Sequence, residues 1–97
     1  MANYRLTAEA RADLRAIARF GIERFGSNQA AEYAENLEQA FARIAANPLA
    51  YQAVDDLRSG YRRAVYQSHA IYFRADPDSV LIIRVLGQQD AAGTLPR

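Results

Sequence analysis

Cysteine and lysine are both absent from these 97 residues, and histidine occurs once, as His69. Without cysteine there is no disulfide, no thiolate nucleophile and no sulfur ligand, and the absence is neutral about compartment. A single imidazole argues against a histidine-built metal centre within one chain. The expectation is a protein with neither metal nor cofactor. No stretch approaches the roughly 20 apolar residues of a membrane span. The opening MANYRLTAEA has no apolar core of signal-peptide type. The expected location is therefore the cytoplasm, with no membrane partner.

The missing lysine makes all 12 basic residues arginine. Two explanations stand: GC-rich coding, or a preference for the flat, permanently charged guanidinium at contact surfaces. Acids are locally scarce as well. Between Leu57 and Ala75 lie Arg58, Arg62, Arg63 and Arg74 and no Asp or Glu, although the net charge of the whole chain is only +1. Half of the residues are apolar and a quarter charged, an ordinary globular balance. A chain of this length holds one core, so residues 1–97 are read as a single domain.

Hydrophobic spacing divides that domain into a helical half and a strand-rich half. Asn3 to Leu6 predicts a short strand, after which Thr7 is placed to cap a helix with Glu9 in its first turn. Ala10, Leu14, Ile17, Gly21 and Phe25 recur at helical spacing and form one stripe. Gly26 is a stop and Ser27 the expected cap of a second helix, whose stripe is Ala30, Ala34, Leu37, Phe41 and Ile44. Helices joined this closely predict an antiparallel hairpin. Asn47-Pro48 ends the second helix, and 48–60 is read as a loop. Period-two patterning then predicts strands in YRRAVY, HAIYFR and VLIIRVL, the last two joined by an Asp76-Pro77-Asp78-Ser79 turn. The fold class is α+β, with the helices on one face of a three-stranded antiparallel meander.

Alternation assigns faces. Leu81, Ile83 and Val85 are expected against the helices, and Val80, Ile82, Arg84 and Leu86 on the other side. His69, Ile71 and Phe73 share one face, leaving Ala70, Tyr72 and Arg74 opposite. If helices cover only one side, Arg74 and Arg84 project from the uncovered side with Tyr72, and Arg62 and Tyr66 join them under one of two registers. The cluster reads either as the polar solvent side of a sheet or as a basic, aromatic-flanked concavity for phosphate or a carboxylate-bearing partner. His69 reads as a half-buried sheet residue rather than a general base. Phe20, Ile22 and Tyr33 fall off the stripes; they are either a docking groove for a partner helix or are covered by the 48–60 loop.

Five fragments in register carry a family resemblance. They are YRLTAEARADLRAI (Leu6, Thr7, Ala10, Asp13, Leu14, Ile17), Asn47-Pro48, LRSGYRR (Leu57, Arg58, Gly60, Tyr61, Arg62), HAIYFR and IIRVL. Together they resemble the RelE/ParE superfamily of bacterial toxin–antitoxin systems, and its ParE branch in detail. The resemblance implies a toxin that poisons DNA gyrase, forms a hetero-oligomer with a ParD-like ribbon-helix-helix antitoxin, and meets DNA only through that antitoxin. RelE-type relatives instead cut mRNA on the ribosome, and Arg84 sits where such a nuclease keeps a phosphate-binding arginine. That chemistry also needs proton-transfer groups. The Gly87-Gln88-Gln89-Asp90 tail holds no tyrosine, histidine or lysine. The expectation is a non-enzymatic toxin with no catalytic residue; a RelE-type nuclease and a degenerate toxin that only binds antitoxin are the alternatives. The tail also departs from ParE relatives that carry a histidine and a basic residue there. Arg84, Arg74, Tyr72, Arg62 and Tyr66 are the expected target or antitoxin contacts, and Phe20, Ile22 and Tyr33 the expected antitoxin dock.

Overall fold

The computed structural model describes residues 3–87. A short strand β1 (Tyr4–Leu6) leads into helix α1 (Ala8–Phe25) and helix α2 (Ser27–Ala46). A single 3-10 turn (Pro48–Ala50) and the two-residue strand β2 (Gln52–Ala53) follow, then β3 (Arg62–Tyr66), β4 (His69–Ala75) and β5 (Val80–Gly87). The expected α+β architecture is present, with more sheet than the meander alone. β1 adds to β5 in parallel and β2 adds to β3, giving the five-stranded order β1-β5-β4-β3-β2.

Local chemistry explains the helix ends. Thr7 lies in extended backbone and its Oγ1 accepts the Ala10 N–H at 2.9 Å, the expected cap. Gly26, at φ +91°, both ends α1, by donating its N–H to Ile22 O, and starts α2, by accepting from Ala30 N. Ser27 is thus the first residue of α2 and makes no capping bond, because glycine's left-handed backbone turns the chain by itself. α2 stops before Asn47-Pro48 as expected.

The helix stripes meet the sheet in the main core: Ala10, Leu37, Ala40, Phe41 and Ile44 pack with Ala64, Ile71, Phe73, Val80, Ile82 and Val85, and Leu14 and Ile17 flank them. Burying a side chain the size of Phe41 or Leu37 contributes roughly 1.5–3 kcal/mol. The stripes fray at the hairpin tip, where Phe25 and Ala34 are exposed. A Cβ at Gly21 would come within 3.2 Å of the Ala30 Cβ, so glycine sets how closely the helices approach.

β5 departs from simple alternation. Tyr72 pairs with Arg84 but Phe73 pairs with Ile82, leaving Ile83 as an extra, bulged residue. Val80 and Ile82 therefore face the helices and Leu81 and Ile83 the other side, the reverse of expectation, while Val85 and Leu86 lie as expected. The far face is not open either. The segment from Val54 to Tyr61 folds over it, closed by Val54 N to Tyr61 O (2.8 Å) and Gly60 N to Asp55 Oδ1 (2.8 Å). Val54, Leu57 and Tyr61 then cover Ala70, Tyr72, Ile83 and Leu86 as a second core. Of the two readings of the helix aromatics, cover by the 48–60 loop does not hold, since its Val54–Tyr61 part shields the back of the sheet.

Tyr72, expected on an outer surface, is fully buried there, and its hydroxyl has no hydrogen-bond partner among the described residues. An unsatisfied buried hydroxyl costs about 1–3 kcal/mol. Tyr72→Phe is therefore expected to raise the urea midpoint, by about 1 kcal/mol in unfolding free energy; a lower midpoint would mean that the hydroxyl is bonded in solution.

Candidate partner-docking site

The five residues expected to share one open surface lie in three places. Arg84 is tied into the fold: its Nε donates to Asp13 Oδ2 at 2.7 Å and its Nη2 to Asp13 Oδ1 at 2.8 Å. The side chains are 18% and 13% exposed. Asp13 also accepts the Val85 backbone N–H at 3.0 Å, and the hydrogen bond from Arg84 is the main reason the guanidinium is held firmly in its charged form. Arg84 is thus no outward-facing arginine, because the short β1 leaves the end of β5 to be completed by α1.

Arg74 is exposed as expected, and it chelates Asp76 through Nε (2.9 Å) and Nη2 (3.3 Å). Arg5, a residue that sequence patterning did not single out, donates to the same carboxylate at 2.9 Å and to Ser79 Oγ at 3.0 Å. The bond from Arg74, with Arg5 beside it, lowers the Asp76 pKa. Arg62 takes the register that points it to the helix side, opposite Phe73, and gives its Nη1 to Tyr51 O at 2.7 Å. Tyr66 also lies on the helix side, against Tyr33 at 5.4 Å between ring centroids.

The open surface is elsewhere, at the end of the helix hairpin. A cavity of about 350 Å³ runs between α1, α2 and the β3–β4 turn, lined by Ile17, Phe20, Gly21, Phe25, Ala30 and Tyr33 on the helices and by Gln67, Ser68 and His69 on the turn. A second, of about 380 Å³, shares Ile17, Phe20, Ser68 and His69 with it and adds Ala16 and Gly87, so the two form one groove. Phe20 is 54% and Phe25 60% exposed, a large apolar outlay for a small chain unless something covers it. Of the three expected docking residues, Phe20 and Tyr33 line the groove. Ile22 is exposed but is not among the lining residues, since on a helix a residue two positions on faces away.

The groove has a polar end. The Tyr33 hydroxyl lies 2.7 Å from His69 Nδ1, and Arg24 stacks over the Phe20 ring at 5.2 Å. His69 is half-buried on the helix side, as its alternation indicates. Burial lowers its pKa and raises that of Tyr33. Gln67 in the adjoining turn takes φ +51°, a left-handed backbone that favours glycine. Sequence periodicity could not place Gln67 and Ser68 in the groove, because turn residues show no stripe.

Comparison with known proteins bears on the family and the fold. Residues 4–92 match the model of a family described as the ParE toxin of the type II toxin–antitoxin system parDE. The chain is similar to toxin ParE1 of Caulobacter vibrioides, at 42% identity over 88 residues that make up 91% of each protein. Among solved structures it resembles a chain of the chromosomal ParDE TA system of P. aeruginosa, with TM-score 0.78, 18% identity and coverage of 90% of this chain and 96% of that one. It also resembles, at TM-score 0.62 and 24% identity, a chain of the toxin–antitoxin complex RelBE2 of Mycobacterium tuberculosis, over 90% of this chain and 98% of that one. These two likenesses concern the fold.

The Asp13–Arg84 contact makes a graded prediction. Asp13→Ala removes two charge-assisted bonds from a mostly buried guanidinium and the acceptor of the Val85 N–H, and is expected to cost about 3 kcal/mol in chemical denaturation. Arg84→Ala leaves Asp13 its bond from Val85, and should cost clearly less. Equal losses would show that the backbone bond contributes nothing.

Proposed function

Because the chain belongs to the ParE toxin family of type II toxin–antitoxin systems, we propose that it inhibits growth by binding DNA gyrase and stalling its cycle. A ParD-like antitoxin with a ribbon-helix-helix DNA-binding domain neutralises it, in a cytoplasmic hetero-oligomer that meets DNA through the antitoxin. The observation that carries a binding rather than a catalytic reading is the fate of Arg84. A RelE-type nuclease needs a cation free to meet the scissile phosphate and groups to move protons. Here Nε and Nη2 of Arg84 hold Asp13, and Tyr72 lies under the Val54–Tyr61 segment. His69 sits on the helix side and is engaged by Tyr33. Gln88, Gln89 and Asp90, whose chemistry argues the same way, lie outside the described residues.

The aromatic groove is the proposed antitoxin dock. An amphipathic helix laid against Phe20, Phe25 and Tyr33 covers apolar surface that the fold leaves bare. Arg74 and Arg5, on the opposite side of the sheet, are exposed cations proposed for the target. Arg84, Tyr72 and Arg62 act in this reading by holding the shape of the protein, and Tyr66 by backing Tyr33.

Gyrase supercoiling assays test the poison: added protein should slow turnover or accumulate cleaved DNA, and no effect at large molar excess removes gyrase as the target. Reproducible cutting of mRNA on translating ribosomes would restore the nuclease. For the dock, Phe20→Asp is expected to weaken antitoxin binding at least ~10-fold, or about 1.4 kcal/mol, with the thermal unfolding midpoint nearly unchanged. Unaltered affinity would move the dock off the groove.

A further inference from the structure

The shared wall of the two cavities contains a hydrogen-bonding group that the fold leaves unused. His69 and Ser68 lie where the cavities meet. The Tyr33 hydroxyl contacts His69 Nδ1 at 2.7 Å. A phenol is the stronger donor of such a pair, so Nδ1 accepts and the neutral ring carries its proton on Nε2. Nε2–H has no partner among the described residues. Nε2 is not buried, so it faces the groove, where a ligand's acceptor can take its proton in place of solvent.

The surrounding charges indicate what the acceptor is. α1 presents Ala16, Ile17 and Phe20 to this end of the groove, and Arg24 lies over the Phe20 ring. Glu23 precedes Arg24 on α1 but does not line either cavity, and Asp13, further back on the same helix, is engaged by Arg84. α2 contributes Tyr33 and, in the first cavity alone, Glu32. β3 contributes Tyr66, behind Tyr33, and β5 contributes Gly87. The second cavity therefore has no acid in its described lining and two polar side chains in Ser68 and His69.

We propose that the docked antitoxin places a carboxylate side chain on His69 Nε2, so that the groove selects an acidic residue and complex formation takes up a proton. The proposal rests on the groove being the antitoxin dock. Burial keeps the free imidazole neutral near pH 7 by lowering its pKa. A carboxylate at Nε2 favours the imidazolium and raises that pKa, with the Tyr33 oxygen then accepting from Nδ1–H. Affinity rises with falling pH wherever the complex binds more protons than the free toxin, so binding should tighten between the raised pKa of the complex and the lowered pKa of the free protein.

The test is calorimetric titration of the toxin with the antitoxin that co-purifies with it, at about pH 7.5 and about pH 6. Wild type is expected to bind several-fold more tightly at the lower pH with net proton uptake, and NMR should show the His69 imidazole pKa rising in the complex. His69→Gln keeps a neutral N–H donor, so it should bind with little pH dependence. One carboxylate-to-amide change in the antitoxin should produce the same flat profile. If wild-type affinity is independent of pH while Phe20→Asp still breaks the complex, the carboxylate contact is overturned and the dock stands. If Phe20→Asp leaves the complex intact, the dock falls and the contact with it.

Discussion

Asp13 is the point at which the helical half of this protein is fastened to its sheet. β1 is only three residues long and pairs with β5 no further than Ile82, so the rest of that strand would end in an unpaired edge. Thr7 and Asp13 complete it. Thr7 N–H and Oγ1–H donate to the carbonyls of Ile82 and Ile83, at 3.1 and 2.7 Å, and Asp13 takes the Val85 N–H and the Nε and Nη2 of Arg84. A helix thereby does for the edge what another strand would do. This fixes where α1 lies along β5, and through Gly26 and the close Gly21–Ala30 approach it fixes α2 as well.

The sheet is then covered twice. α1 and α2 bury one face, and the Val54–Tyr61 segment buries the other. Few large apolar groups remain for solvent, and Phe20 and Phe25 among them gather where the hairpin tip passes the β3–β4 turn. A chain this small gains by burying such rings in its own core. Leaving them beside Tyr33 and His69 makes that end of the molecule the surface on which the proposed docking rests. The same economy removes Arg84 and Tyr72 from the open surface.

Much of the fold could be read from spacing alone. The residues of the two helices, Thr7 as cap, the stop at Asn47-Pro48, the Asp76–Ser79 turn and the three later strands all follow from short-range preferences of the backbone. So does the His69, Ile71 and Phe73 face, since a regular strand alternates without exception. The Ile83 bulge ends that regularity, and no residue in VLIIRVL marks it, because every position there suits a strand. The reversed faces of Val80 to Ile83 have that single cause.

What the sequence determined by itself was therefore local: which segments form helix or strand, which chemistry is missing, and that the residue types carry a ParE resemblance. Tertiary structure decided which polar groups meet. Asp13 and Arg84 lie 71 positions apart and Tyr33 and His69 36 apart, and neither pairing has a periodic signature. An arginine that opposes a part-buried carboxylate and one that faces solvent look the same in a strand pattern. Only the packing of α1 along the short edge left by β1 turned Arg84 into a structural tie, and placed the open surface of the molecule at the hairpin end.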